Sequence, residues 1–229
     1  MSRDKIFKSQ VWPASGQFLS FSFIYLGLPL LAWGVVDLAG FFSNPVRISF
    51  TVIVTVQALI LAWMTYITPP QPKHEHRFDL ARWHAFMFEI IFVLAAFGDR
   101  RNILTWSENP PLRWVGLGIY LIGAILSISI TLTWVNHLRR EAEYPYDNPV
   151  LLSVGAFKWV RFPSLLYLIL YCLGFAIAFR SWIGLALMIP LMGGIIHRID
   201  HLERVFAQQY REVWTARRHT SKRIIPFLY

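Results

Sequence analysis

Charged residues and cysteine are scarce in this sequence. Asp, Glu, Lys and Arg make up 15% of the 229 residues, whereas 55% of the residues are hydrophobic. Soluble domains carry about 25% charged residues, so this composition excludes an ordinary water-soluble protein. The single cysteine, Cys172, excludes an internal disulfide and is expected to pack as a small buried residue. Linkers rich in Gly and Ser are also missing, so we expect one membrane domain over 1–229.

Long apolar runs fill most of the chain. A helix needs about 20 apolar residues to cross a bilayer, and the third, fifth and sixth runs are shorter than that. We therefore expect an all-α, polytopic integral membrane protein with about six transmembrane helices, or five as the alternative. Four of these spans would lie within 1–138. The runs lie at roughly 18–41, 48–68, 83–98, 113–137, 164–179 and 182–197.

Basic residues are distributed unequally between the loops that connect these runs. Of the 22 Lys and Arg residues, 17 fall in the two termini and in the segments after the second and fourth runs. Because positive loops stay inside, both termini are expected in the cytoplasm, as in a bacterial inner membrane. The net charge of +9 is then explained by anionic lipid headgroups rather than by nucleic acid.

The segment after the last apolar run has a helical, amphipathic pattern. Ile199, Leu202, Phe206, Tyr210 and Val213 are spaced by three or four residues, with charged residues between them. We expect a C-terminal amphipathic helix from about 197 to 217 that lies near the membrane interface.

Three charged side chains near this helix are candidates for a ligand site. Arg161 precedes the fifth run, and Arg198 and Glu203 begin the amphipathic helix. Guanidinium groups bind carboxylates or phosphates through paired hydrogen bonds, and Glu203 suits a hydroxyl or a cation. We expect Arg161 and Arg198 to flank one pocket at the cytoplasmic face. The alternative is that such residues extend to solvent at the end of a helix.

The same residues belong to a recognisable set of motifs. The chain reads G-x-F-x-x-V-R-x-P from Gly155, R-I-x-x-x-E from Arg198 and R-I-I-P from Arg223. This resembles integral-membrane methyltransferases of the isoprenylcysteine carboxyl methyltransferase type over about 75 residues. The resemblance implies that 152–229 form the half that binds S-adenosylmethionine, and that a small or lipophilic acceptor enters from the bilayer. It assigns Arg198 and Glu203 to catalysis, and it assigns the cofactor to Gly155, Phe157, Arg161, Phe162, Pro163, His197, Arg198 and Glu203.

The chain departs from the family pattern at several motif positions. Phe162 stands where the family has histidine, Leu165 where it has tyrosine, and Leu202 where it has the first of two glutamates. Arg211 replaces a glycine and Arg217 replaces a tyrosine. These changes indicate altered substrate use, or a non-catalytic membrane subunit that keeps the fold and packs against partner proteins.

A second resemblance competes with the first. His197, Arg198, Glu203, Tyr210 and Trp214, followed by R-I-I-P, are similar to the end of the membrane sterol reductases. That resemblance implies NADPH as the cofactor, whose phosphates also suit arginine. The short chain favours the methyltransferase interpretation.

Further titratable residues lie outside these motifs. Glu89 is inside the third apolar run, where an ionised group is costly, so it is a functional candidate or a partner within the bundle. His84 is interpreted as an interfacial histidine. His197 and His201 have the spacing of a metal pair, but His74–His76 is the only other such cluster in the sequence, so no metal site is predicted.

Overall fold

The computed structural model describes residues 3–68, 79–140 and 155–224. Most of these residues are helical, and the described ranges contain isolated β-bridges at Thr105–Ser181 and Val160–Lys222 but no β-strand. The helices are α1 (Arg3–Ser22), a π-helical turn (Phe23–Gly27), α2 (Leu28–Trp33), α3 (Leu38–Phe41), α4 (Pro45–Ile67), α5 (Asp79–Arg101), α6 (Pro110–Arg140), α7 (Pro163–Ala178) and α8 (Trp182–Thr220).

Several of these helices are suited to a bilayer. Four described segments are long and apolar enough to cross it: Val11–Trp33, Pro45–Ile67, Pro110–Arg139 and Trp182–Gln208. The shorter α7 is also apolar. The prediction of an all-helical integral membrane protein in a lipid bilayer is confirmed at this level.

The first span ends earlier than expected. The sequence predicted a span at roughly 18–41, whereas the apolar helical segment ends at Trp33. Gly34 has a φ of 114°, a conformation that favours glycine and ends the helix. The apolar residues that follow form short helical turns instead of prolonging the span.

Side-chain caps mark the starts of α4 and α8. The Asn44 side chain accepts a hydrogen bond from the backbone N–H of Val46 at 2.9 Å, before α4. Ser181 accepts one from the N–H of Gly184 at 2.9 Å, before α8. A turn of a few residues, with Arg180 at a φ of 51°, therefore folds α8 back beside α7 as an antiparallel hairpin.

The α6–α7 pair is held by close backbone contact. A Cβ atom on Gly116 would lie 2.4 Å from the backbone nitrogen of Ala178, and one on Gly174 would lie 2.4 Å from that of Tyr120. Small residues let membrane helices approach in this way. Aromatic rings fill the adjoining core, with Phe92 stacked on Phe175 at 3.9 Å between ring centroids.

A buried cluster of charges joins the ends of four helices. Asp99, at the end of α5, has a fully buried side chain. Its carboxylate accepts hydrogen bonds from Arg47 on α4 at 3.0 Å, Arg113 on α6 at 2.8 Å and Arg180 in the α7–α8 turn at 2.8 Å. Glu108 accepts from Arg113 at 2.6 Å, and this hydrogen bond lowers the pKa of Glu108. We call these five residues the Asp99 cluster.

The α6–α7 contact predicts that replacing one glycine of α6 destabilises the protein, whereas replacing a nearby glycine of the same helix does not. Gly116→Ala should reduce the free energy of unfolding by about 1–3 kcal/mol, because the new methyl group overlaps the α7 backbone. Gly118→Ala is the control, since a Cβ there meets nothing within 4 Å. Thermal unfolding in detergent measures both variants. Equal melting temperatures would contradict the close contact.

The Asp99 cluster predicts strong destabilisation of the protein when the central carboxylate of Asp99 loses its charge. Asp99→Asn should cost about 3–5 kcal/mol, because three buried guanidinium groups lose a shared carboxylate. Glu108→Gln is the control, and it should cost less than about 1 kcal/mol because its side chain is 49% exposed. Thermal unfolding at neutral pH compares the two variants. A stable Asp99→Asn protein would show that the cluster does not hold the helices together.

Candidate functional site

The turn formed by residues 155–162, which carries the first motif, is paired with the segment that follows α8. The Arg161 N–H donates to the carbonyl of Lys222 at 2.7 Å, and the Phe162 N–H donates to that of Arg223 at 3.1 Å. The Lys222 N–H donates back to the carbonyl of Trp159 at 3.0 Å. Gly155 opens the turn at a φ of 57°. The two segments, remote in sequence, therefore lie side by side.

This pairing brings three motif residues into one ion network. Arg161 donates to one carboxylate oxygen of Glu203 at 2.8 Å, and Arg223 donates to the other at 2.9 Å. Arg223 also contacts Asp200 at 3.3 Å. The side chains of Arg161 and Glu203 are 6% and 8% exposed. Glu203 is thus neutralised by groups of the protein itself, and this network closes the turn onto α8.

Aromatic side chains surround the network. Phe162, where the resembled family has histidine, lies 6.5 Å from Phe206 and 6.4 Å from Trp214 between ring centroids. The Arg161 guanidinium lies 5.9 Å from the Trp214 ring centroid. Pro163 starts α7 directly after this point. These contacts shield the Arg161–Glu203 pair from water.

Arg217 adds a second buried guanidinium to the same face. It donates a hydrogen bond to the carbonyl of Phe157 in the turn. Burial and the nearby Arg161 lower the pKa of Arg217. An arginine at this motif position therefore serves to hold the turn.

A cavity of about 290 Å³ lies beside this network, within the bundle. The π-helical turn, α5, α7 and α8 each contribute to its wall. Its lining residues are Ile24, Tyr25, His84, Ala85, Phe88, Glu89, Ser164, Leu165, Tyr167, Leu168 and Arg198. Five of these residues are apolar and six carry polar or charged groups, and small-ligand sites combine apolar surface with polar groups in this way. We call it the Arg198 cavity.

Two opposite charges face this cavity. Arg198 and Glu89 are both partly buried and line it from α8 and α5. Neither forms a hydrogen bond or an ion pair with any residue that the structure describes. Tyr167 lies close enough to Arg198 to interact with it electrostatically. These charges are therefore available to a ligand, unlike those of Arg161 and Glu203.

The candidate residues that were predicted from the sequence lie either in the turn and its ion network or at the Arg198 cavity. Gly155, Phe157, Arg161, Phe162, Pro163 and Glu203 belong to the turn and its network with α8. Arg198 lines the cavity, Arg161 does not, and His197 is exposed. The sequence singled out Glu89 but not its place in the same cavity as Arg198. Ile225 and Pro226, which end the last motif, lie outside the described residues, as do His74–His76.

Three polar cavity residues were missed from the sequence. Tyr25, Ser164 and Tyr167 lie within apolar runs or at their edge and carry no motif spacing. A signal was available for Tyr167, which follows Pro163 by one helical turn and so lies on the same face of α7.

The last helix is bent at one residue. Arg211 has φ 38° and ψ −105° inside α8, so the helix is kinked at this residue. Residues with a side chain rarely adopt this conformation, and glycine adopts it freely. Arg211 is also the position at which the resembled motif has glycine.

Replacing this residue should stabilise the protein. Arg211→Gly is expected to raise the free energy of unfolding by about 1 kcal/mol, because glycine removes the backbone strain. Arg204→Gly is the matched control in the regular part of α8 and should lower it by about 1 kcal/mol. Thermal unfolding compares the two variants. A lower melting temperature for Arg211→Gly would contradict the bend.

Comparisons with protein-family models, with curated proteins and with solved structures find no match to this chain. The function is therefore argued from the chemistry of the Arg198 cavity and of the motif residues around it.

Proposed function

We propose that this integral membrane protein binds a small ligand in the Arg198 cavity and acts as an S-adenosylmethionine-dependent methyltransferase on a small or lipophilic acceptor. One observation carries the proposal. Arg198, which belongs to the resembled motif, is the motif arginine that faces a cavity instead of pairing with Glu203. The proposal includes six spans, a C-terminal amphipathic helix and cytoplasmic termini, with the Asp99 cluster on the opposite face of the membrane.

The arrangement of the motif residues supports this proposal. The turn at 159–162 pairs with the segment after α8, and the Arg161–Glu203–Arg223 network holds them together beside the cavity. The bend at Arg211 occurs where the methyltransferase motif has glycine. A shared backbone requirement at this position is consistent with a shared architecture, independently of the side chain.

The cavity residues fit the charged end of such a cofactor. The Arg198 guanidinium can hold a carboxylate through two hydrogen bonds, and Tyr167 and Ser164 add hydroxyl groups. Binding sites for whole drug-sized ligands range from about 300 to 1,000 Å³, and this cavity of about 290 Å³ is at the lower limit. It therefore suits the amino-acid end of the cofactor. When bound, the cofactor supplies an activated methyl group on a sulfonium.

The chain's own residues would contribute orientation and exclusion of water. Arg198 fixes the anionic group, and the apolar side chains of Phe88, Leu165 and Leu168 form a wall beside it. Orientation of two reactants in one site can supply several kcal/mol of the activation free energy. In the proposed assignment Glu203 acts at a distance, because it positions Arg161 and the turn.

A non-catalytic membrane subunit is the second candidate function. It is favoured by the mutual neutralisation of Arg161 and Glu203, which leaves neither charge available to a substrate. The apolar residues at Phe162 and Leu165 point in the same direction, since both positions are polar in the resembled family. The following experiment separates the two candidates.

Ligand-dependent thermal stability tests the proposal. S-adenosylmethionine at about 100 times its Kd should stabilise the purified protein by about 2.7 kcal/mol, and NADPH should not. Arg198→Ala should abolish the shift because the anionic group loses its partner. Arg204→Ala is the control, since Arg204 is exposed on the same helix and does not line the cavity.

The outcomes distinguish three functions. Stabilisation by S-adenosylmethionine that depends on Arg198, together with transfer of a labelled methyl group to a membrane extract, supports the methyltransferase. Stabilisation by NADPH alone would replace it with a reductase. Stabilisation by neither compound would favour the non-catalytic subunit.

A further inference from the structure

Glu89 gives the Arg198 cavity a second charge of opposite sign. We propose that this cavity is a binding site for a zwitterion, with Arg198 holding the anionic group and Glu89 holding the cationic group. The inference shares Arg198 with the proposed function, and Glu89 lies on α5, outside every motif described above. It concerns the chemical class of the ligand and not the reaction.

The state of Glu89, which is partly buried, differs from that of the buried carboxylates Asp99 and Glu203. Asp99 accepts hydrogen bonds from three arginines, and Glu203 accepts from two. Glu89 has no hydrogen bond or ion pair to a described residue, although it lies in the middle of α5. It also lies inside the third apolar run of the sequence, and an ionisable group within a membrane marks a functional site by default.

Charge balance selects a zwitterion over a simple ion. A purely anionic ligand would pair with Arg198 but would place its negative charge in the same cavity as Glu89. A purely cationic ligand would pair with Glu89 and repel Arg198. An unpaired charge in a low-dielectric site is costly. A ligand that carries both groups pairs its anionic group with Arg198 and its cationic group with Glu89.

The rest of the cavity suits this class of ligand. Tyr25 and Tyr167 offer hydroxyl groups, whereas Phe88 and Leu168 offer apolar surface to the carbon skeleton between or beside the charges. Tyr25 belongs to the π-helical turn Phe23–Gly27, and such turns inside α-helices are frequent at functional sites. The same chemistry is found in the headgroup of a zwitterionic lipid and in the α-amino-acid end of a soluble molecule.

Two matched series of compounds test the charge requirement on the full-length protein in nanodiscs. The lipid series is dodecylphosphocholine, dodecyl phosphate and dodecyltrimethylammonium, each below its micellar concentration. The soluble series is methionine, 4-(methylthio)butanoate and 3-(methylthio)propylamine. Microscale thermophoresis measures the Kd of each compound. In one series, the zwitterion should bind about tenfold more tightly than its anionic and cationic counterparts, which identifies the source of the ligand.

Variants assign this preference to the two residues. In Glu89→Gln, the Kd values of the zwitterion and the anion should lie within about threefold of each other, because the cationic group of the ligand no longer has a carboxylate partner. Arg198→Gln should remove the preference over the cation. Glu212→Gln is the control, because Glu212 is exposed on α8 and does not line the cavity.

Several results would overturn the inference. Equal Kd values within both series for the wild-type protein would do so even if the variants failed to fold. Retention of the preference in Glu89→Gln would do so as well. The proposed reaction is tested separately: a zwitterion preference without methyl transfer removes the methyltransferase alone, whereas methyl transfer without that preference removes the zwitterion site alone.

Discussion

The carboxylate of Asp99 is the interaction on which the arrangement of the helices depends. It joins α5 to α4, to α6 and to the turn between α7 and α8 through three guanidinium groups. The Asp99 side chain is fully buried, so water does not compete for its hydrogen bonds, and the cluster orients the helices where apolar packing alone discriminates weakly. Because helices are stiff, alignment at this end also constrains their opposite ends, where the cavity lies.

The charged groups of this protein fall into two physical kinds. The Asp99 cluster and the Arg161–Glu203–Arg223 network satisfy their own hydrogen-bonding groups and hold segments together. Glu89 and Arg198 are directed at a cavity and make no such bonds within the described residues. The first kind accounts for structure. The second kind points to a ligand, because a membrane protein gains little by burying opposite charges that do not meet.

Much of the helical architecture could be predicted from apolar runs, since bilayer thickness sets the length of a span. The end of the first span could not, because hydropathy continues past Gly34 while the backbone turns there. Arg198 and Glu203 are five residues apart and so lie about 140° apart around α8, on different faces. One meets α5 and α7, and the other meets the turn. Sequence spacing revealed their separation, but only tertiary packing revealed that Glu89 and Arg198 line the same cavity.

Gly194 leaves room on α8 for two side chains of α5. A Cβ at this position would lie 2.7 Å from the indole nitrogen of Trp83 and 3.7 Å from a ring nitrogen of His84, which lines the cavity. Gly194 precedes Arg198 by one helical turn, so both residues lie on the same side of α8. One additional methyl group there would overlap the Trp83 indole, so this side chain would have to move. The absence of a side chain at Gly194 therefore lets Trp83 and His84 of α5 lie against α8, next to the cavity that Arg198 and Glu89 both line.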